Sequence, residues 1–215
     1  VNFLSKYTLY DWQGLNVSVF KHINHLYSSP AYDSLMLFLA HTFDVKNFPY
    51  FLAGLGAYAL LAIVIRRLRR DQNTGFYLAS WIGVLTVLVV GYLAMGLTVK
   101  TIKSEFSYPR PYVVLGADEV HVIEGAKEPG KDNMSFPSGH AAFATLLVAA
   151  LWPILSADLE LIGAGMVFMV CWSRMAAGVH FPADVIGGVL VALLVVEIVR
   201  YFVYSVLRSL FSMRF

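Results

Sequence analysis

Residues 75–99 read GFYLASWIGVLTVLVVGYLAMGLTV, 25 consecutive positions without a charged side chain. A helix rises about 1.5 Å per residue and a bilayer core is about 30 Å thick, so roughly 20 apolar residues cross it. Outward from this stretch the pattern recurs. Residues 48–65 (FPYFLAGLGAYALLAIVI) carry no charge, and neither do residues 141–157. Residues 159–179 are apolar apart from Glu160 and Arg174, and residues 185–206 apart from Glu197 and Arg200. Those last two are three apart, which makes them helix neighbours able to pair. Five spans predict an all-α, integral-membrane helical bundle, with residues 1–215 as one membrane-embedded domain.

Composition agrees. Of the 215 residues, 58% are hydrophobic and 14% charged, against about 25% charged in soluble domains. The mean hydropathy is +0.65. A net charge of +2 without a basic tail argues against nucleic acid as a partner, and no obligate protein partner is evident. The single cysteine, Cys171, excludes an intramolecular disulfide and reads as packing. The N-terminal stretch VNFLSKYTLYDWQ lacks the charged-then-apolar pattern of a cleavable signal. Residues 14–28 and 33–43, divided at Pro30, read as amphipathic helices lying in the interface, so that 1–47 forms an interfacial segment. A sixth span near 26–43 is the alternative. No internal repeat is present.

The run RRLRR, Arg66 to Arg70, joins the first two strong spans and is expected to be cytoplasmic. Arg208 and Arg214 fall on the same side if five spans alternate. The polar loop 100–137 and the turn around His180 then face the opposite, external side.

Three polar clusters share that side: KTIKSEFSYPRPY with Lys103 and Arg110, SFPSGH from Ser135 to His140, and SRMAAGVHFPAD from Ser173 to Asp184. Charge at membrane depth is costly and tends to be functional, and Arg174 lies in an otherwise apolar helix. Lys103, Arg110 and Arg174 can form a cationic cage, since the guanidinium fork matches phosphate oxygens. Ser138 is a plausible N-cap and Gly139 admits close backbone approach, so the helix start is an anion site. His180 and Asp184 are four apart. The carboxylate can hold one ring nitrogen and leave the other free to attack. His140 can protonate a leaving oxygen.

Each cluster alone has a plainer reading. Lys103 and Arg110 suit an interface, PSGH suits a helix start, and Arg174 can merely pair with a carboxylate. Their joint occurrence outweighs those readings. Other residues keep the plain one: His22 and His25 as interfacial, His121 as part of the external loop, and Trp81, Trp152 and Trp172 as packing or belt residues. Lys131 and Asp132 precede PSGH, and Tyr108 and Tyr112 flank Arg110 where they can line a headgroup pocket.

With these residues in view, the sequence resembles the type 2 phosphatidic acid phosphatase family, which shares its motif with vanadium haloperoxidases. The family pattern is KxxxxxxRP, PSGH and SRxxxxxHxxxD. Here it reads Lys103, Arg110 and Pro111; Pro137 to His140; Ser173, Arg174, His180 and Asp184. Every fixed position and internal spacing matches. The departure is at the N-terminus, where many bacterial members carry a further spanning helix and this chain is expected to lack one. The resemblance implies that His180 attacks phosphorus and forms a phosphohistidine. Lys103, Arg110, Arg174, Ser138 and Gly139 stabilise the phosphate charge, His140 acts as acid, and Asp184 orients His180. It implies no cofactor and no metal, and the cationic residues would repel one.

The expected activity is hydrolysis of a lipid phosphate or diphosphate at the external face of the cell inner membrane. Undecaprenyl diphosphate and phosphatidylglycerol phosphate are favoured. A lipid phosphotransferase or a lipid A phosphatase on the same scaffold is the alternative. A transporter is disfavoured, because the polar residues cluster at one face and no inverted repeat appears.

Overall fold

The computed structural model describes residues 8–211, and every regular element among them is helical. The first seven residues of the N-terminal stretch, and Arg214, lie outside the described residues. Seven helices of ten residues or more build the chain: α1 (Leu15–Asn24), α2 (Pro30–Thr42), α3 (Phe48–Leu68), α4 (Thr74–Phe106), α5 (Gly139–Leu151), α6 (Ala157–Ala176) and α7 (Pro182–Phe211). Short helical turns, Thr8–Asp11 and Pro111–Val114, flank the site described below.

Four stretches are long and apolar enough to cross a membrane: Val45–Leu68, Thr74–Val114, Ala157–Ala176 and Pro182–Ser209. Their outer faces carry exposed large side chains, among them Tyr50, Leu61, Leu161, Phe168, Leu194 and Phe202. Apolar surface on that scale is stable only against lipid. The chain is an integral membrane protein with apolar helical spans.

The fifth expected span differs. The uncharged run 141–157 folds as the 13-residue α5 and a three-residue 3-10 turn, Trp152–Ile154, with Pro153 closing the helix. Pro lacks the N–H that the next helical turn needs. The run is apolar because it is interior to the protein: Ala141, Ala142, Phe143, Ala144 and Leu146 are fully buried. Small side chains let α4, α6 and α7 close around it. Glycines on the partners complete the fit. A Cβ on Gly163 of α6 would lie 2.8 Å from Val148, and one on Gly91 of α4 would lie 2.9 Å from Leu146.

The register follows from named contacts. At one end, the Ser138 N–H donates to the Asp184 carbonyl (2.9 Å), so α5 and α7 start together. At the other, Arg200 of α7 donates to the Ala149 carbonyl and pairs with Glu197 at 2.5 Å, the expected i,i+3 pair. Gly83 of α4 faces Tyr204 of α7, so α4 runs antiparallel to both. The bundle therefore gathers the end of α4, the start of α5, the end of α6 and the start of α7 at one pole. Arg66–Arg70 and Arg208 lie at the other.

Two boundaries differ from expectation. The second span does not end at Val99, since α4 continues to Phe106 and stops where Ser107 adopts φ +45. Lys103 thus stands on the last turn of a helix. Residues 30–42 form one 13-residue helix, opened by Ser29 accepting from the Tyr32 N–H at 3.2 Å, too short for a sixth span. Nor is α1 simply a surface helix. Asn16, Phe20 and Asn24 are buried on its inner face. Asn24 donates to the His121 carbonyl (2.7 Å) and the Ala176 carbonyl (2.9 Å), and Asn16 accepts from the Ala183 N–H (2.9 Å). These amides satisfy backbone groups orphaned at the end of α6 and the start of α7. Apolar periodicity cannot flag a helix whose inner face is polar.

Candidate active site

His180 lies in the five-residue connection between α6 and α7. Gly178 makes that turn, with φ +76 and no room for a Cβ, which would sit 2.5 Å from the His121 carbonyl oxygen. Pro182 starts α7, and Asp184 in its first turn accepts from the Phe181 N–H at 2.7 Å. This local cap brings the carboxylate back to the preceding turn, where His180 Nδ1 lies 3.3 Å from Asp184 Oδ2.

Asp184 is completely buried. Besides the Phe181 N–H it accepts from Ser135 Oγ (2.5 Å) and from the Tyr10 hydroxyl (2.7 Å). Three donors hold that carboxylate in one orientation. Burial first, and then the charge of Asp184, push the Tyr10 hydroxyl above its ordinary range, which keeps it a donor. With Asp184 Oδ2 as the acceptor beside Nδ1, the ring proton belongs there and Nε2 keeps its lone pair. Burial, then the charges of Arg110, Arg174 and Lys103, hold His180 well below the usual imidazole range, so the ring is neutral near pH 7.

The cations come from three elements. Arg110, 1% exposed, precedes the short Pro111–Val114 turn, and Arg174, 2% exposed, lies in the last turn of α6. Lys103 donates to the carbonyls of Met134 and Ser135, just before the α5 start. The Arg110 backbone N–H donates to the Asp132 carbonyl (2.8 Å) and its Nε to the Lys131 carbonyl (3.1 Å). Arg110 Nη1 and Arg174 Nε are buried without a partner among the described residues, and so is Ser138 Oγ. Ser138 takes the N-cap position of α5, but its side chain makes no capping bond. Its own N–H is engaged by Asp184. Gly139 and His140 form the first turn of α5; burial, then the charge of Arg174, holds the His140 imidazole well below its usual range, and a phosphate anion entering between them would raise it. Such unpartnered donors around a helix N-terminus form an anion site.

All eight expected site residues thus meet at one pole. Residues that the sequence reading missed join them. Tyr10 and Ser135 hold Asp184. Glu128 Oε1 lies 3.4 Å from Arg110 Nη2 and 3.3 Å from Arg174 Nη2, while Oε2 pairs with Lys131 at 2.6 Å. Burial alone would raise the Glu128 carboxyl, but the Lys131 bond and both arginines outweigh it and hold it at about 2. The plain reading of Arg174, a pair with a carboxylate, is therefore also met.

The remaining residues singled out in the sequence have partners of their own. His121 lies 3.3 Å from Asp33, tying the loop to α2. The Tyr112 hydroxyl donates to Asp132 (2.9 Å), and Tyr108 packs on Tyr10, Phe106 and Phe136. Trp172 donates to Tyr32, Trp81 packs between Tyr58 and Tyr77, and Cys171 is buried in α6. Among the described residues, no three His, Cys, Asp or Glu side chains gather as a metal site.

The sequence model of the PAP2 superfamily matches residues 84–208, which include all eight of these positions. The chain belongs to the PAP2 superfamily. It is a PAP2-family membrane phosphatase, and the family implies lipid phosphate substrates. The undecaprenyl-diphosphatase BcrC of Bacillus subtilis (strain 168) is 27% identical over 190 residues, covering 84% of this chain and 80% of that protein. Two solved structures share the fold. Aquifex aeolicus LpxE has a TM-score of 0.57 at 24% identity, over 86% of this chain and 94% of its own. A PAP2-type phosphatidylglycerolphosphate phosphatase from Bacillus subtilis has a TM-score of 0.60 at 21% identity, over 91% of this PAP2 chain and 88% of its own.

Proposed function

We propose that this PAP2 phosphatase hydrolyses a lipid diphosphate or monophosphate, with undecaprenyl diphosphate or phosphatidylglycerol phosphate favoured, through a phosphohistidine on His180. The observation that carries the reading is a buried histidine, with a buried carboxylate 3.3 Å from its Nδ1, beside two buried arginines with free N–H groups. Nε2 of His180 attacks phosphorus as the bond to the lipid-side oxygen breaks, and His140 gives that oxygen a proton. Water, deprotonated by His140, then cleaves the P–N bond and releases phosphate. Arg110, Arg174, Lys103 and the Ser138–Gly139 backbone carry the charge that develops on the phosphoryl oxygens. Asp184 orients His180 and stabilises it as it becomes cationic. The relative that is an undecaprenyl-diphosphatase supports the diphosphate substrate, and the fold shared with the phosphatidylglycerolphosphate phosphatase supports the alternative.

The membrane placement extends the same reading. Arg66–Arg70 at the far pole favours a cytoplasmic position there, and hence a site on the outer face of the cell inner membrane. The lipid tail stays in the bilayer while the headgroup reaches the polar pole.

The test is phosphate release across a panel of purified lipid phosphates in liposomes, with and without EDTA. Release that survives EDTA, with undecaprenyl diphosphate or phosphatidylglycerol phosphate turned over fastest, supports the reading. Loss of release in EDTA overturns the metal-free route. Labelled phosphate that ends on a second lipid identifies a phosphotransferase.

A further inference from the structure

We propose that Glu128 is a built-in occupant of the phosphate site, a carboxylate that closes the two-arginine clamp between turnovers and must leave before any phosphate can bind. This rests on the reading of Arg110 and Arg174 as the phosphate clamp.

The geometry is that of a substitute anion. A single Glu128 oxygen bridges Arg110 Nη2 and Arg174 Nη2, at 3.4 and 3.3 Å. Planar guanidinium groups bind phosphate oxygens through the same N–H edges. The substitute is also incomplete. Its second oxygen is taken by Lys131, so one oxygen serves two guanidinium groups. Arg110 Nη1, Arg174 Nε and Ser138 Oγ remain without partners. A phosphoryl group, with three non-bridging oxygens, can satisfy donors that the carboxylate leaves open. The bridging distances are longer than the 2.7–2.9 Å or so of strong charge-assisted bonds, which marks a contact that phosphate can displace.

The arginines cannot leave, but Glu128 can. Arg110 and Arg174 are buried, whereas the Glu128 side chain is 28% exposed. Its turn is held independently of the carboxylate, by the Arg110 N–H on Asp132 and Arg110 Nε on Lys131. Lys131 is half exposed and three residues on, so the carboxylate can swing towards water with its lysine partner while the backbone stays in place. The free enzyme thereby avoids two buried, unpaired guanidinium groups, which would be costly. A returning Glu128 also assists departure of the phosphate product.

An internal competitor has a thermodynamic signature. It weakens every ligand of the site by one factor, the inverse of the fraction of molecules whose clamp is open. A negative charge that merely lies nearby would instead weaken a diphosphate more than a monophosphate. Glu128→Gln removes the charge, and Glu128→Asp keeps it on an arm one methylene shorter.

The experiment measures competitive inhibition by inorganic phosphate and by inorganic diphosphate, together with KM and kcat for the lipid substrate, on purified full-length protein in detergent. E128Q is expected to lower both inhibition constants and KM by one common factor, roughly tenfold. E128D is expected to give most of the same gain despite its retained charge, and serves as the variant to read if the glutamine form fails to fold. Constants for E128D equal to those of the native protein overturn the proposal. So does a factor that grows with ligand charge, which is a field effect, or a fall in kcat larger than the fall in KM, which would put Glu128 in the chemistry. Arg174→Ala is the separate control. If it leaves phosphate inhibition at the native value, the clamp reading itself fails, and Glu128 with it.

Discussion

The two poles of the bundle both hold arginine, and they treat it in opposite ways. At the far pole Arg67, Arg69 and Arg70 are exposed, and Arg66 is paired with Asp71 at 2.5 Å while lying over the Tyr77 ring. At the near pole Arg110 and Arg174 are buried, share one carboxylate oxygen and retain N–H groups with no partner. Exposed arginines meet water and lipid headgroups, which screen them. Buried ones act through a low local dielectric on whatever anion enters. The difference lies in what surrounds the side chain: the far cluster sits on a short turn open to solvent, the near one where four helix ends converge.

The sharpest test of that contrast is the group on which the near pole acts. His180→Ala is expected to reduce lipid phosphate hydrolysis by at least about 10⁴-fold, as loss of a nucleophile does, with the protein still monodisperse in detergent. Turnover within tenfold of native would remove His180 as the nucleophile. Next come the arginines themselves. Arg174→Ala is expected to cost roughly 10²- to 10³-fold in kcat/KM, the usual scale for losing one preorganised charge-stabilising donor. Arg69→Ala should stay within about twofold, as exposed substitutions do. Equal effects at the two positions would break the comparison.

Glycines repeat the contrast on a smaller scale. A Cβ on Gly188 of α7 would lie 2.5 Å from the Ser138 carbonyl oxygen, whereas one on Gly56 of α3 meets nothing within 4 Å. Gly188 allows the starts of α5 and α7 to touch. Gly188→Ala is expected to destabilise by about 1–3 kcal/mol through overpacking and to lower activity with it. Gly56→Ala should stabilise by roughly 0.5 kcal/mol through reduced backbone freedom. Thermal unfolding in one detergent, with activity read alongside, distinguishes the two.

How much of this was legible in the sequence depends on the range of the signal. The eight site residues sit in three short motifs whose internal spacing is local, and the helix ends that carry them do meet. The four long spans are visible as apolar runs with few charges or none. Over α5 the run gave an apolar helix shorter than the four long spans, because high hydropathy does not distinguish a helix facing lipid from one buried in protein; Pro153 and the alanine-rich composition were the available signals. Glu128, Tyr10 and Ser135 carry no periodicity, and all three lie far in sequence from site residues they touch. Tyr10 reaches Asp184 across 174 positions, a distance over which only the folded chain connects them. Asn16 and Asn24 were hidden for another reason, since polar residues on a short amphipathic helix ordinarily face water.

The smallest expected effect concerns the His180 proton. Burial and the charges of Arg110, Arg174 and Lys103 hold this imidazole well below its ordinary value near 6.5. A lowered value means that the neutral, nucleophilic form persists as the pH falls through 6.5, so His180 should hardly change charge between pH 7.5 and 6.5. Since the unfolded chain takes up that proton at higher pH than the folded one, stability declines as the pH drops below about 6.5 and is fully retained above it. Heteronuclear NMR of ring-labelled histidine, with His180→Asn to assign the signal, reads the titration directly. A His180 midpoint at or above the ordinary imidazole value of about 6.5 would mean that the near pole does not press its charge on the ring, and the contrast between the two arginine clusters would lose its chemical content.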